Sequence, residues 1–350
     1  MCLTCCGFAV YKKAVMAYNV LITGKAVITM RKIAILKDCK EQEKAMILSA
    51  AETDDKVLFF GTDDELLRSE QAQEVEIIFG EPEVSTVNAL KNLRWVQMTW
   101  AGANKYTSSP DYPGGVTLTS ASGAFGGVIS EHIMAGLLAL YKNLRAYRTQ
   151  LQQDGWQLLS GDGSIEGKRA LILGMGDIGT HTARKLKAFG AVTVGIGRSK
   201  RERAEYFDEC YTTSELNEQL KKADMVISTL PGTPETKKLL NSERIAMIQS
   251  HAIVANVGRG FVIDTEALTE ALQAKQLSGA VLDVTDPEPL PCGHPLRNMD
   301  NVILTPHVSG ISWGENDLTR CKIISIFTDN LRRDKEGTPL WHRIDFAKGY

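Results

Sequence analysis

Short apolar runs separated by amphipathic stretches recur along most of the chain, and this alternation predicts an α/β fold with parallel sheets. In the first part, strand patterns fall at Lys32–Leu36, Val57–Phe60, Val75–Phe79, Trp95–Met98 and Val116–Thr119. A long helix is expected from Ser130, with Ser130 as N-cap and Glu131 where the helix dipole favours an acid. Ile133, Leu137, Leu140 and Tyr141 repeat at helical spacing, and the pattern continues toward Tyr147. A second strand series lies at Lys168–Leu173, Val192–Ile196, Met225–Ser228, Ile253–Asn256, Ala280–Leu282 and Val302–Leu304, enough for a doubly wound sheet.

The chain has 350 residues, long for one hydrophobic core and comfortable for two. With 43% hydrophobic residues, 23% charged residues and a net charge of -2, it has ordinary globular composition. Nothing in that balance predicts general affinity for nucleic acid or an anionic membrane; a small-molecule partner is expected. The seven cysteines are odd in number and three crowd the first six residues, which is no disulfide framework and fits a reducing, cytoplasmic compartment. Cys2 and Cys5 form a CxxC without a second ligand pair nearby, so no metal site is expected. Residues 1–29 fit poorly with the rest of the chain. They hold no run approaching the roughly 20 apolar residues of a membrane span and no clear signal-peptide pattern. Met30 opens a basic-then-apolar first strand, so the fold is expected to begin there and residues 1–29 to be an extension.

The strongest motif comes directly after Lys168–Leu173: Gly174-Met175-Gly176-Asp177-Ile178-Gly179, then a helix ending at Phe189-Gly190, then Val192–Ile196. A lone GxGxxG carries little weight, and a plain structural turn is the competing reading. Between a strand and a helix, however, its glycines have separate jobs: a tight turn, close approach to a pyrophosphate, and helix–strand packing. The exposed N–H groups of the helix start bind the phosphates.

Sheets of this kind place ligands at the carboxyl ends of their strands. Three such ends carry suggestive side chains: Arg259 after Ile253–Asn256, Glu288 after Ala280–Leu282, and His307 after Val302–Leu304. Each has a bland alternative, as a surface ion-pair residue, a solvated acid or a turn histidine. Together, downstream of a dinucleotide motif, they make a set. An arginine fork holds a carboxylate in two bonds and a histidine moves a proton near neutral pH. A carboxylate orients that histidine.

These segments resemble the D-isomer-specific 2-hydroxyacid dehydrogenase family. Its GxGxxG, Asn-x-x-Arg-Gly, Asp-Val-x-x-x-Glu-Pro-Leu-Pro and Thr-Pro-His segments stand here at Gly174–Gly179, Asn256–Gly260, Asp283–Pro291 and Thr305–His307, in family order. Leu230-Pro231 and Thr236 match a further family stretch. The resemblance runs from Met30 to the C-terminal region. It implies two Rossmann-like domains, a cofactor domain (residues 129–308) inserted into a discontinuous substrate domain (30–128 and 309–350). It implies Arg259 as the substrate-binding cation, His307 as acid/base and Glu288 as its partner. Backbone N–H groups of Ala101 and Gly102 would hold the substrate carboxylate, and Trp100 would shape the pocket. Leu230, Pro231, Thr236, Val257, Gly258, Asp283 and Gly310 join Gly174–Gly179 as implied cofactor contacts. The long helix after Ser130 is implied to take part in a homodimer interface.

Three departures stand out. Gly258 replaces a frequent alanine and Thr285 a frequent phenylalanine. The end of the second Rossmann strand reads Gly197-Arg198-Ser199-Lys200-Arg201, with no acid to bind ribose hydroxyls. Arg198 and Ser199 suit a 2′-phosphate, so the cofactor is expected to be NAD(P) with NADP(H) favoured over NAD(H). The expected reaction moves a hydride between NAD(P)H and a small 2-keto acid or D-2-hydroxy acid. Formate oxidation is disfavoured because formate enzymes carry an amide where Glu288 stands. A nicotinamide-sensing corepressor or scaffold stays open. Glyoxylate, hydroxypyruvate, pyruvate, bulkier keto acids and 3-phosphoglycerate all remain candidate substrates. No regulatory domain is expected after the core, which tilts away from feedback-regulated serine synthesis.

Overall fold

The structure, a computed structural model, describes residues 30–51, 55–159, 163–199, 204–311, 313–314 and 316–349. The extension 1–29 with its CxxC, and Lys200 and Arg201, lie outside the described residues.

Two parallel sheets build the molecule. The first holds β1 (Lys32–Ile35), β2 (Lys56–Phe59), β3 (Val75–Phe79), β4 (Trp95–Gln97) and β5 (Thr117–Thr119) in the order β2-β1-β3-β4-β5. The second holds β6 (Arg169–Leu173), β7 (Val192–Gly197), β8 (Glu209–Thr212), β9 (Met225–Ser228), β10 (Ile253–Asn256), β11 (Gly279–Leu282) and β12 (Val302–Leu304) in the order β12-β11-β10-β9-β6-β7-β8. The strand patterns are continuous apolar runs because helices cover both faces of such sheets. β9, β10 and β11 are buried at every position. The second sheet reverses direction between β6 and β9, so its ligand crevice opens at the ends of those two strands.

Two expectations about the linking helix need correction. It spans Gly126–Tyr141, four residues earlier than the Ser130 start. Ser130 is no N-cap. It is fully buried inside the helix, donating to the Gly127 carbonyl at 2.9 Å and accepting from Lys185 at 2.7 Å. The cap comes from elsewhere in the chain: the Asp177 carboxylate accepts the Gly126 N–H at 2.8 Å. Nor does the helix continue to Tyr147. Asn143 adopts a left-handed φ of 50° and a separate helix, Leu144–Gln152, begins. β8 had no sequence expectation. It is an edge strand of four half-buried residues, without the alternation or apolar run that marks a strand.

The C-terminal helix, Asp317–Lys335, returns to the first sheet. Phe327 stacks on Phe79 with ring centroids 4.5 Å apart, and the buried Asn330 amide donates to Gln97 at 2.9 Å. At the helix end, Asp334 accepts a two-pronged bond from Arg94 (2.5 and 2.7 Å) and a third from Arg31 (2.8 Å). Burial pushes the Asp334 carboxyl up, but the two guanidinium groups outweigh it and hold its pKa below the ordinary value. A carboxyl with a lowered folded-state pKa stabilises above its unfolded pKa and stops doing so as pH falls through the folded one. Asp334→Ala should therefore cost about 3 kcal/mol at neutral pH, toward the low end for a broken buried pair because Arg94 keeps partial access to solvent. Urea unfolding of both proteins across pH checks this. The difference should shrink once pH drops below about 4, the ordinary aspartate range.

Candidate active site

The glycine motif sits at the end of β6 as its spacing requires. Gly174 has φ 101°, a conformation that favours glycine, and a Cβ there would lie 2.9 Å from the Thr229 hydroxyl. A Cβ on Gly179 would lie 1.9 Å from the Gly174 carbonyl oxygen, so this glycine lets the Asp177–Ala188 helix pack on the strand. Gly176 differs: a Cβ there would meet nothing within 4 Å among the described residues, and its φ of -87° suits any residue. Packing gives no reason for that glycine, whereas a phosphate lying against its backbone would. The residues present thus fit a dinucleotide. Met175 packs beneath β7, where a Cβ on Gly195 would meet its sulfur at 2.4 Å, and Ile178 is half-buried. Asp177 turns its carboxylate to Gly126 and to His181 (3.6 Å), so its side chain serves the junction between the sheets. At the end of β7, Arg198 and Ser199 are exposed, with Glu235 in electrostatic reach of Arg198.

Beyond β10 the chain makes a turn held by one side chain. The Asn256 amide donates to the Arg259 carbonyl at 2.9 Å, and its oxygen accepts the Gly258 N–H at 3.1 Å. Gly258 lies against the next loop, where a Cβ would sit 2.4 Å from the Leu230 carbonyl oxygen. Val257 is buried and donates its N–H to Ser228 at 3.1 Å. The Leu230-Pro231 loop is closed by Thr236, whose hydroxyl accepts from Thr233 N–H and donates to the Pro231 carbonyl, both at 2.9 Å.

This turn throws the Arg259 side chain across to the first sheet. Its Nε donates to Asn104 Oδ1 at 3.1 Å and Nη1 to the Gly258 carbonyl at 2.9 Å. Nη2 lies against Gly102, where a Cβ would be only 1.8 Å away. Burial pulls the Arg259 guanidinium below its ordinary pKa, and the nearby Glu288 carboxylate pushes it back up. Two of its bonds go to neutral acceptors, leaving the positive charge available to an anion beside Gly102. Trp100, 40% exposed, precedes the half-buried Ala101 and Gly102 in the same loop, and its carbonyl accepts from Ala121 N–H at 2.8 Å.

The third part forms where the loops after β11 and β12 meet. His307 Nδ1 lies 2.5 Å from Glu288 Oε1. A carboxylate only accepts, so Nδ1 carries the proton and Nε2 faces outward to exchange one. The other Glu288 oxygen takes a long bond from Thr285 N–H at 3.4 Å. Asp283, an expected cofactor contact, is 1% exposed. Its carboxylate accepts from the Thr305 hydroxyl (2.6 Å), Val308 N–H (2.8 Å) and Ser309 N–H (3.0 Å), which fixes the His307 loop. Gly310 packs under the linking helix, where a Cβ would meet Ile129 at 2.7 Å.

Sequence reasoning missed Asn104 and the work of Asp283. Asn104 lies two residues past Gly102 in a loop already singled out, but its pairing with Arg259 crosses 155 residues of chain. The arrangement joins a phosphate cradle, a cation facing a glycine backbone and a histidine–carboxylate pair. Among the described residues no group of three or more His, Cys, Asp or Glu could hold a metal.

The same fold occurs in known proteins. Residues 134–309 match the family model described as D-isomer specific 2-hydroxyacid dehydrogenase, NAD binding domain. A glyoxylate reductase of Thermofilum pendens is 30% identical over 233 residues, 65% of this chain and 68% of that protein. The crystal structure of a D-isomer specific 2-hydroxyacid dehydrogenase family protein from Aeromonas salmonicida is similar at a TM-score of 0.81 and 33% identity, covering 91% of this chain and 99% of that one. An NADPH-dependent glyoxylate/hydroxypyruvate reductase from Sinorhizobium meliloti, solved with NADP and sulfate, is similar at a TM-score of 0.75 and 26% identity, covering 91% and 100%. On the matched model and these relatives, the chain belongs to the D-isomer-specific 2-hydroxyacid dehydrogenase family.

Proposed function

We propose that this dehydrogenase interconverts a small 2-keto acid and its D-2-hydroxy acid with NADP(H). The observation that carries the reading is the His307–Glu288 pair, 2.5 Å apart, with Glu288 also in electrostatic reach of the Arg259 guanidinium against Gly102. The substrate carboxylate would take the free Arg259 donors together with the Ala101 and Gly102 N–H groups. A nicotinamide bound over the Gly174–Gly179 cradle would supply the hydride to C2. In that direction His307 Nε2 gives its proton to the carbonyl oxygen; in reverse it accepts the hydroxyl proton. Glu288 orients the ring and stands beside the charge it carries when protonated. Glyoxylate and hydroxypyruvate are the substrates to try first, since relatives are named for them. Residues 129–308 would carry the cofactor and 30–128 with 309–350 the substrate.

Leu144, Leu151, Trp156 and Leu158 are each more than half exposed along the Leu144–Gln152 helix and the loop after it. A second copy of the chain covering them would make a homodimer, and Trp156→Glu should then turn dimer into monomer by light scattering; an unchanged mass would count against it. Cys39, Cys210, Cys292 and Cys321 are all unpaired thiols, which suits a reducing cytoplasm. Among the described residues no helix is long and apolar enough to cross a membrane.

Turnover of 2-keto acids with NADPH tests the reaction. His307→Ala should lower kcat at least about a hundredfold, the usual effect of a positioned proton donor, while NADPH still binds by fluorescence titration. Arg259→Lys keeps the charge but loses the fork, so it should raise KM and lower kcat together. Full activity in either variant, or no turnover of any 2-keto acid by the parent, would overturn the assignment.

Cofactor choice rests on the end of β7, where the chain reads Gly197-Arg198-Ser199 in place of a ribose-binding acid. A charge-assisted bond from Arg198 to a 2′-phosphate should favour NADPH over NADH by about tenfold to a hundredfold in kcat/KM. High salt should erode that ratio, because exposed charges are screened. Arg198→Ala should lower kcat/KM with NADPH and leave NADH untouched; a parent enzyme that prefers NADH would refute the proposal.

A further inference from the structure

One polar side chain on the linking helix has no part in the chemistry above. His132 is half-buried, and its Nε2 lies 3.1 Å from the Thr305 hydroxyl, two residues before His307. The same hydroxyl lies 2.6 Å from Asp283 Oδ1. Asp283 holds the rest of the loop: its carboxylate accepts from Val308 and Ser309 N–H, and its carbonyl accepts the His307 N–H at 2.8 Å. His132, Thr305, Asp283 and the backbone of His307 thus form one connected chain of hydrogen bonds.

Counting protons gives that chain a direction. A threonine hydroxyl has one proton to donate, and an ionised carboxylate has none. Burial raises the Asp283 pKa, but its bonds from Ser309, Thr305 and Val308 outweigh burial and hold it below the ordinary value. Asp283 is therefore the acceptor, and Thr305 donates its one proton there. The Thr305 oxygen then turns a lone pair to His132. A neutral ring protonated only on Nδ1 would set lone pair against lone pair, so Nε2 must carry the proton.

We propose that His132 is a positioning residue for His307: by donating from Nε2 it fixes the Thr305 hydroxyl toward Asp283, and so holds the loop that presents His307 to the substrate. The proposal rests on the assignment of His307 as acid/base. It ties the helix that joins the two sheets to the proton-transfer group.

Long-range 1H–15N correlation on the full-length protein, with the His132 ring assigned by its loss in His132→Gln, reads the tautomer directly. A proton on Nε2 is expected; a ring protonated on Nδ1 alone would overturn the proposal whatever the reaction proves to be. In turnover, His132→Ala should lower kcat by about tenfold, the scale of one lost hydrogen bond, with keto-acid KM and NADPH affinity unchanged. Glutamine keeps an N–H donor at this reach, so His132→Gln should recover most of the loss. Combining His132→Ala with Thr305→Val should cost no more than Thr305→Val alone, because both cut the same chain. Additive losses, or a His132→Ala enzyme as fast as the parent, would refute the role. If the parent turns over no keto acid, the acid/base reading fails, and the tautomer still decides whether His132 donates to Thr305.

Discussion

A single buried carboxylate organises the His307–Glu288 side of the candidate site. Asp283 directly follows β11 and has three donors on its side chain and a fourth on its carbonyl. One of the side-chain donors is the buried Ser309 N–H, which would otherwise be left without a partner at a cost of about 1–3 kcal/mol. His307 pays a conformational cost in this loop, since its φ of 55° lies in the left-handed region that side chains avoid. The bonds to Asp283 on both sides of it hold that conformation. Glu288, further along the loop that Asp283 opens, reaches His307 from the other direction. The histidine and its partner thus come from neighbouring strands that are already hydrogen-bonded in register, Leu282 opposite Leu304.

The Arg259 side of the candidate site depends instead on how the two sheets approach. Arg259 belongs to the second sheet, while Gly102 and Asn104 belong to the first. A side chain at position 102 would occupy the place of Nη2, so the cation reaches the loop only because that residue is glycine. The start of the linking helix sets the same relation from behind, where Asp177 of the glycine motif caps Gly126. A carboxylate at the head of the phosphate-binding helix therefore fastens the first sheet's exit to the cofactor cradle. A change of angle between the sheets would thus move Arg259 and the glycine motif together.

Most of the fold was legible because buried parallel strands read as plain apolar runs. Val75–Phe79, Met225–Ser228 and Ile253–Asn256 stand where the sequence puts them. The failures have physical causes. β8 is a half-buried edge with mixed polarity, and edges lose the pattern that burial writes on a strand. Ser130 looked like a cap because caps are read locally, whereas the true cap, Asp177, lies 51 residues away. The strand-end positions of Arg259, Glu288 and His307 were legible, and the structure brings Glu288 and His307 together. Asn104 and His132 were not, because each matters through a partner more than 150 residues distant, Arg259 and Thr305.

Two of the chain's three departures from the family's usual residues lie on the flanks of the Arg259 turn. At Gly258, an alanine methyl would stand 2.4 Å from the Leu230 carbonyl, so it would need the Leu230-Pro231 loop to step back from the Arg259 turn. With glycine, that turn and the loop beside the cofactor cradle lie in direct contact. Thr285 touches the other flank of the same turn: a Cβ on Gly260 would meet its carbonyl at 1.8 Å. Its hydroxyl is satisfied by the Pro287 carbonyl at 2.9 Å, and what it offers Glu288 is a backbone N–H that any residue but proline supplies. A threonine in place of an aromatic therefore changes what fills the outside of the loop and leaves Glu288 and His307 where they are. Gly258 therefore bears on how closely the Arg259 turn is gripped, whereas Thr285 meets that turn through backbone atoms that any residue supplies.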